Sequence, residues 1–311
     1  MAGPDLPEDN DRPMRIVSLL PAGTEIVFAL GLGDQLIGRS PLCDYPEEAV
    51  DVPVVDVEPP GGAAPDRLEA TQLRKLQPQV LVCGGAPNGG LPGEQELRSA
   101  VAGLDDVAVV GLEPRSIEGI LNCISTVGAF AEAEDEAVGL VEILRERLGS
   151  LENRILERRL QGVASRRAIV LEGLDPPRAA GQWVPEMVRR AGGWELLGTE
   201  GEMPAETSWE RVREVEPEVI VLALRDLDAA QAVRMLETVE LPDWFDQLEA
   251  VRDGEFFAVD GAGLFSRPSP RVMDGVAVLA ELFDPEAFTG AGPSEAWIPL
   301  GPLGIGATRS D

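Results

Sequence analysis

Histidine is absent from the 311 residues, and this absence limits the chemistry of the chain more than any other feature of its composition. Without imidazole there can be no Ser-His-Asp triad, no histidine general base, no His-ligated zinc site and no proximal histidine for haem. Catalysis would have to rely on carboxylates, cysteine, tyrosine, arginine or a cofactor. Neither paired carboxylates nor a metal-ligand motif occurs, so we predict no catalytic residues, no metal site and no covalently bound cofactor.

Lysine is nearly absent as well, because Lys75 is the single lysine and the other basic side chains are arginines. The chain has 55 acidic and 26 basic residues, which gives a net charge of −29. Such a surface repels phosphate backbones and anionic headgroups, so no nucleic-acid partner is expected. An acidic, lysine-poor surface is typical of salt-adapted proteins. We favour this halophilic interpretation over an arginine-biased genome, which would not explain the excess of acids.

Long apolar runs are also missing. The first 13 residues contain neither a basic nor an apolar stretch, and no run of about 18 apolar residues occurs, so no signal peptide and no membrane insertion are predicted. Three cysteines, an odd number, favour free thiols in a reducing compartment. We therefore expect a cytoplasmic protein, or a periplasmic or extracellular one if a leader precedes this sequence.

From Arg15 onward, short β-branched runs alternate with amphipathic stretches, the pattern of α/β units on a mainly parallel sheet. Apolar residues near helical spacing between Glu132 and Leu160 predict one helix of roughly 42 Å, long enough to connect two lobes. The predicted fold is therefore α/β: two lobes with mainly parallel sheets, joined by a single long interdomain helix. The predicted segments are a disordered N-terminal segment (1–13), an N-terminal lobe (14–131), the connecting helix (132–161), a C-terminal lobe (162–288) and a Gly/Pro-rich tail (289–311).

The strands of both lobes can be predicted individually. In the first lobe they are expected at 16–20, 35–38, 52–55, 80–83 and 107–110, and in the second at 168–171, 219–222 and 256–259. We expect Trp297, Ile298 and Leu300 of the tail to pack on a lobe.

One local pattern occurs twice, a short helix that ends at a proline and leads directly into a strand. The two copies are LRKLQPQVLV (residues 73–82) and VREVEPEVIV (residues 212–221). The proline is expected to stop each helix and to leave the residue before it extended. Two copies at matching points are in keeping with a duplicated architecture.

Ligands of open α/β sheets bind beyond the carboxyl ends of the strands, so the loops there hold the candidate residues. The loop after the first strand opens a helix whose free N–H groups could receive an anionic or amide-bearing ligand. Alternatively, Thr24 or Glu25 forms an ordinary N-terminal cap. In a second loop Tyr45, the only tyrosine, follows Cys43 and Asp44.

Cys43 and Cys83 both follow predicted strands of the first lobe and could approach each other. Two thiols without histidine make a poor zinc site, and buried structural cysteines are the more common case. In the second lobe, Trp183, Phe265 and Arg267 combine flat apolar surface with a fixed donor. This combination suits a large, partly apolar ligand that carries amides or carboxylates, although single aromatic residues more often belong to a core.

Several motifs in matching order resemble the cobalamin-binding branch of the periplasmic binding proteins, which serve metal-chelate ABC importers. The motifs are RIVSLLPAGTE (15–25), CDYP (43–46), GQWVPEM (181–187) with a Gly pair at 192–193, and RPSPRVMDG (267–275). The resemblance covers most of residues 15–288. It implies two α/β lobes joined by one long helix, a hinge that bends little, and a ligand held between the lobes.

The resemblance also implies site residues. Arg267 would donate to a propionamide or phosphate, Trp183 and Tyr45 would lie against the macrocycle, and the helix N-terminus at Thr24 would cap a polar edge. By motif position, the residues implied to line the ligand site are Pro21, Ala22, Tyr45, Gln182, Trp183, Phe265 and Arg267.

The chain departs from the family pattern at several positions. Pro41 and Leu42 replace a His-Glu pair, and Gln182 stands where many relatives have histidine, so an axial imidazole to cobalt is excluded. Relatives dock on their permease through an acidic residue on each lobe. Glu210 fits that pattern, whereas the first lobe has Thr71 at the matching position with Glu69 nearby.

The resemblance therefore implies a non-enzymatic binding protein that holds cobalamin, another corrinoid or a similar metal chelate as its ligand, with an ABC permease as a possible partner. The alternative is a cytosolic enzyme or scaffold derived from this fold, acting on a tetrapyrrole or iron chelate. In the enzyme, Cys43, Asp44 and Cys83 would serve as ligands or acid/base groups, and Cys43→Ser would abolish turnover but not binding.

Overall fold

The computed structural model describes residues 13–55, 73, 75–85, 93–102, 104 and 107–301, which form two compact units. The N-terminal unit comprises Met1–Glu113 and Cys123–Leu140, and the C-terminal unit comprises Pro114–Asn122 and Val141–Asp311. Among the described helices, none is both long enough and apolar enough to cross a membrane.

The N-terminal unit is built on a parallel sheet with the strand order β2-β1-β3-β4. Its strands and first helices are β1 (Ile16–Ser18), α1 (Pro21–Ala29), β2 (Leu36–Arg39), β3 (Val80–Gly84), α2 (Glu94–Ala100) and β4 (Ala108–Leu112). These four strands confirm four of the five predicted ones. The strand predicted at 52–55 is wrong, because only Val54 pairs there, in an isolated bridge to Arg39.

Two helices follow β4 and contribute residues to both units, α3 (Ile117–Phe130) and α4 (Glu134–Leu160). The 27 residues of α4 confirm the long helix expected from the apolar spacing. Its first turn carries Glu134, Asp135 and Glu136, and its last turn carries Arg158 and Arg159. Both sets of charges complement the helix dipole.

The C-terminal unit has a mixed sheet of seven strands within the described residues. Its strand order is β11-β10-β9-β5-β6-β8, and β7 pairs with β5. The central strands β5, β9 and β10 are parallel, whereas β6, β8 and β11 run antiparallel to their neighbours. The strands are β5 (Arg166–Leu174), β6 (Pro177–Ala179), β7 (Gly193–Glu195), β8 (Ala205–Glu206), β9 (Val219–Leu222), β10 (Phe256–Val259) and β11 (Trp297–Pro299).

The three central strands were predicted from the sequence, and the four short ones were not. The expected packing of the tail is confirmed, because β11 pairs with β10 and Leu300 is buried. The helices of this unit are α5 (Val184–Arg190), α6 (Trp209–Glu214), α7 (Ala229–Leu236), α8 (Glu249–Arg252), α9 (Gly261–Leu264), α10 (Val272–Phe283) and α11 (Pro285–Phe288).

The helix-proline-strand pattern occurs in both units, but the residue before each proline is not extended. Gln77 has φ 45° and Glu216 has φ 47°, so both lie in the left-handed region. The N–H of Gln77 still donates to the Leu73 carbonyl, which closes the last turn of the helix. A left-handed residue after the last turn is a common way to end a helix, and it prevails here over the steric preference of the proline.

Glu186 fixes α5 within the C-terminal unit. Its buried carboxylate accepts the backbone N–H of Ile117, at the start of α3, at 2.8 Å. The same carboxylate accepts Arg190 Nε at 2.8 Å, and Arg190 also pairs with Glu152 of α4 at 2.7 Å. One buried acid therefore ties α5 to the part of α3 and α4 that belongs to this unit.

Candidate functional site

In the N-terminal unit, the start of α1 lies directly after the carboxyl end of β1. Leu20 precedes the helix without a side-chain cap, Pro21 occupies its first turn, and no acidic residue lies there. The alternative of a cap by Thr24 or Glu25 is therefore wrong. The first-turn N–H groups keep their partial positive charge, which suits an anionic or amide-bearing group.

The start of α1 is packed tightly against the sheet. A Cβ at Gly23 would approach Val82 Cγ1 to 2.5 Å, so only glycine fits at this position. Ala22 and Thr24 are buried, and Thr24 Oγ1 has no hydrogen-bond partner among the described residues. Pro21 is partly exposed and Thr24 lies inside the helix, so the structure places these two predicted residues at different depths.

The loop after β2 carries Tyr45, whose side chain is 45% exposed. The N–H of Ser40 donates to the Ser18 carbonyl at 2.9 Å, which places this loop beside the end of β1. Arg39 stabilises it, because the buried guanidinium donates to the carbonyls of Ser40 and Val50. Sequence reasoning missed Arg39, although a lone charged residue at the end of an apolar strand was a signal.

The cysteines are free and buried. The Sγ of Cys43 lies 3.2 Å from Ser40 Oγ, and the Sγ of Cys83 donates to the Val110 carbonyl. Burial raises the pKa of Cys83 to about 12 and that of Cys123 to about 11. Thiols with these pKa values are scarcely ionised at neutral pH, so Cys83 is a poor nucleophile, metal ligand or general base.

In the C-terminal unit, Trp183 and Phe265 are brought together. The indole N–H of Trp183 donates to the Phe265 carbonyl at 2.9 Å, and both side chains are buried. Buried aromatic rings are frequent in protein cores. Buried rings can also form the wall behind a bound ligand. The bond fixes the loop before α5 to the loop after α9, so the two predicted aromatic residues belong to one rigid assembly.

Gln182, next to this pair, is partly exposed and has φ 54°, in the left-handed region that disfavours residues with a Cβ. The strain is held by the bond from the Gln182 N–H to the Glu202 carbonyl at 2.5 Å and by the bond from the Gly201 N–H to the Gln182 carbonyl at 2.8 Å. Strained residues of this kind are frequent at ligand-binding loops.

The loop after β10 carries Arg267, which is partly exposed. Asp260 orders this region, because its carboxylate accepts the Gly263 N–H at 2.8 Å and pairs with Arg271 at 3.3 Å. A Cβ at Gly263 would collide with both Asp260 and Arg271. The loop therefore presents Arg267 from a framework that an ion pair and a glycine hold in place.

A further ion pair, which was not predicted from the sequence, lies at the same edge of this sheet. Glu172, near the end of β5, pairs with Arg225, which follows β9, at 3.1 Å. Burial raises the pKa of the Glu172 carboxyl, and the adjacent Arg225 charge counteracts part of that rise. The signal in the sequence was a glutamate and an arginine that each come directly after an apolar strand.

Of the two acidic residues predicted to dock on a permease, only one lies among the described residues. Glu210 is exposed in the first turn of α6, which Ser208 caps by accepting the N–H of Arg211. Glu69 lies outside the described residues. Within the described residues no cluster of three potential metal-ligating side chains occurs.

Comparison with known proteins agrees with this arrangement. Residues 16–262 match the family model described as periplasmic binding protein. The chain is 24% identical over 287 residues to an uncharacterized ABC transporter substrate-binding lipoprotein of Bacillus subtilis, covering 89% of this chain and 82% of that protein. It is also 24% identical to a vitamin B12-binding protein of Vibrio parahaemolyticus, covering 88% and 91%.

Solved structures show the same fold. A periplasmic heme binding protein from Pseudomonas aeruginosa superposes with a TM-score of 0.70 at 22% identity, covering 96% of this chain and all of that one. The periplasmic vitamin B12 binding protein of Vibrio cholerae superposes with a TM-score of 0.66 at 20% identity, covering 87% and 96%. At these identities the structures establish the fold, an α/β architecture with two sheets.

Proposed function

The chain belongs to the periplasmic binding protein family, and from this premise we propose that it is the substrate-binding component of an ABC importer for vitamin B12, heme or an iron chelate. Membership in a family of binding proteins overturns the alternative of an enzyme. The observation that carries the proposal is the set of residues at the carboxyl edge of the C-terminal sheet. There the Trp183–Phe265 assembly lies in loops that also carry Gln182 and Arg267.

Among these ligands, we propose a corrinoid such as cobalamin. The chain has no histidine, so it cannot supply an axial imidazole to a metal. A corrinoid can be held through its ring faces and peripheral amides without a bond from the protein to cobalt. Arg267 is a donor suited to an amide oxygen of such a ligand.

The corrinoid proposal is tested by co-elution. The protein is purified in molar salt, mixed with hydroxocobalamin and passed through a desalting column, while visible absorbance is recorded. Colour that co-elutes near one equivalent supports the proposal. Arg267→Gln is expected to weaken binding at least about tenfold, whereas the matched control Arg211→Gln, at a side chain that is more than half exposed, leaves it unchanged. Colourless protein would overturn the corrinoid assignment.

Heme is the second candidate ligand because one observation favours it. Tyr45 is the only tyrosine and is half exposed, and a tyrosine phenolate can bind ferric haem iron. Hemin added to the wild-type protein would then give a phenolate-ligated absorption spectrum that Tyr45→Phe abolishes. If the spectrum is the same in both proteins, iron ligation by Tyr45 is excluded.

We further propose that an ABC permease docks at exposed Glu210. Glu210→Arg should abolish ligand delivery to the permease without changing the affinity for the ligand, and an unchanged delivery rate would contradict the docking role.

We also propose that the acidic surface is adapted to salt. The melting temperature should rise between 0.1 and 2 M KCl as screening reduces self-repulsion. A flat or falling curve would contradict salt adaptation.

A further inference from the structure

The Glu172–Arg225 pair lies where a ligand of the C-terminal unit would bind. Glu172 is at the carboxyl end of β5, and Arg225 follows the carboxyl end of β9, the next strand in the sheet. The loop with Phe265 and Arg267 follows β10, which is the neighbour of β9. In parallel sheets these ends meet at one edge, and ligands bind there.

Glu172 lies at a β-bulge. In the pairing of β5 with β6, Leu171 lies opposite Ala179 and Gly173 opposite Arg178, so Glu172 is the extra residue. Bulges re-aim side chains and are frequent next to functional sites. In the turn after the neighbouring strand β9, Asp226 follows Arg225 with φ 60°, a second strained residue at the edge that already contains Gln182.

Both partners of the pair keep unused hydrogen-bonding capacity. In the described part of the chain, the Arg225 guanidinium donates only through Nη2, to Glu172 Oε2. Glu172 Oε1 accepts no hydrogen bond from the described residues. The side chain of Arg225 is 34% exposed and that of Glu172 is 11% exposed. The pair thus presents a donor and an acceptor side by side, in partly desolvated surroundings.

The charges at and around the pair sum to zero, so they do not attract an anion. Glu172 already compensates the charge of Arg225, and Asp226 adds a negative charge close by, while Arg178 adds one positive charge. A primary amide can accept from Arg225 and donate to Glu172 at the same time. A carboxylate can only accept, and it would place its negative charge next to Glu172.

We propose that Glu172 and Arg225 form a specificity element that recognises a primary amide on the periphery of the ligand and discriminates against a carboxylate at the same position. This inference rests on the proposed function, and it deepens it by selecting an amide-bearing macrocycle over a propionate-bearing one. Glu172 supplies the acceptor and the repulsion, and Arg225 supplies the donor.

Two probes with the same ring test the proposal: dicyanocobinamide, whose periphery carries amides, and dicyanocobyrinic acid, whose periphery carries carboxylates. Binding is followed by quenching of tryptophan fluorescence. The wild-type protein should prefer the amide probe. Glu172→Gln should shift the affinity ratio toward the carboxylate probe by about tenfold, and Arg225→Gln should weaken binding of the amide probe by about tenfold.

The matched controls are Arg211→Gln and Glu214→Gln. Their ion pair on α6 also has a separation of 3.1 Å, but both of its side chains are more than half exposed. They should leave the ratio unchanged. A ratio that stays constant in both Glu172→Gln and Arg225→Gln, with wild-type melting temperatures, overturns the specificity element. Failure of the wild-type protein to bind any corrinoid, heme or ferric chelate would instead overturn the proposed function, and the specificity element with it.

Discussion

The two units follow the same plan of parallel strands and flanking helices, but they are built from different side chains. Within the residues that the structure describes, the N-terminal unit has four parallel strands, and its core cluster is aliphatic apart from Cys83. This unit also contains the single tyrosine and all three cysteines. The C-terminal unit has seven described strands in a mixed sheet, and it contains all five tryptophans. Its core contains a chain of edge-to-face rings, with Phe245 lying 5.4 Å from Trp209 and 5.5 Å from Phe256.

The same arrangement of strands and helices therefore carries different functional groups in the two units. The N-terminal unit offers backbone N–H groups and one exposed tyrosine ring, whereas the C-terminal unit offers buried rings and arginine–carboxylate pairs at its carboxyl edge. The two units also carry separate natural probes. Tryptophan fluorescence reports on the C-terminal unit, and thiol exposure reports on the N-terminal unit.

The largest expected effect concerns the cores. Phe245→Ala should lower the free energy of unfolding by about 3–5 kcal/mol in urea titrations followed by tryptophan fluorescence, because a buried ring with two ring neighbours is lost. The counterpart in the other unit is Leu81→Ala, with an expected loss of about 2–5 kcal/mol followed by thiol exposure. A loss below about 1 kcal/mol in Phe245→Ala would show that the rings do not hold this core.

The pH dependence of stability should also differ between the two units. Burial raises the pKa of Glu195 in the C-terminal unit to about 7, although backbone N–H groups of Val170, Leu197 and Gly198 donate to its carboxylate. Between about pH 4.5 and 7 the native state therefore binds more protons than the unfolded state, so stability falls as pH rises. Below that range the contribution of Glu195 is complete, and above it the contribution is lost.

We expect the melting temperature followed by tryptophan fluorescence to fall by roughly 5 °C between pH 4.5 and 7, measured relative to Glu195→Gln. Thiol exposure should show no such difference between the two proteins. Parallel pH profiles of wild type and Glu195→Gln would contradict the raised pKa.

The smallest effect is on thiol reactivity. With pKa values of about 12 and 11, Cys83 and Cys123 should react with a disulfide reagent at pH 7 only when the N-terminal unit opens. Leu81→Ala should accelerate the reaction by at least about thirtyfold, the factor that corresponds to a loss of about 2 kcal/mol, and Phe245→Ala should leave its rate unchanged. Complete labelling of the native protein within seconds would show that the thiols are accessible without opening.

The sequence predicted the elements whose signals are local and long. Four strands of the N-terminal unit, the three central strands of the C-terminal unit and α4 each carry an apolar run or a sustained spacing. The strands β6, β7, β8 and β11 have only two or three residues each, too few for a period to be visible. Their positions depend on the neighbours they pair with.

The candidate site was predictable as a set of loops but not as a set of contacts. Motif position indicated Trp183 and Phe265, yet the hydrogen bond between them joins residues 82 positions apart. Glu172 and Arg225 are 53 positions apart, and the bulge at Glu172 arises from pairing with β6. The positive φ of Gln77 and Glu216 likewise followed from closure of the last helical turn and not from the proline after it.

The antiparallel strand β11 has a consequence for aggregation. Without it, β10 would present unpaired backbone groups along the edge of a hydrophobic sheet, which is a template for strand addition by another chain. Trp297 packs edge-to-face on Phe257 at 5.5 Å and so holds this cover in place. A chain shortened before Trp297 would keep its central strands but expose an edge prone to self-association. Strand β11 therefore protects the sheet from strand addition.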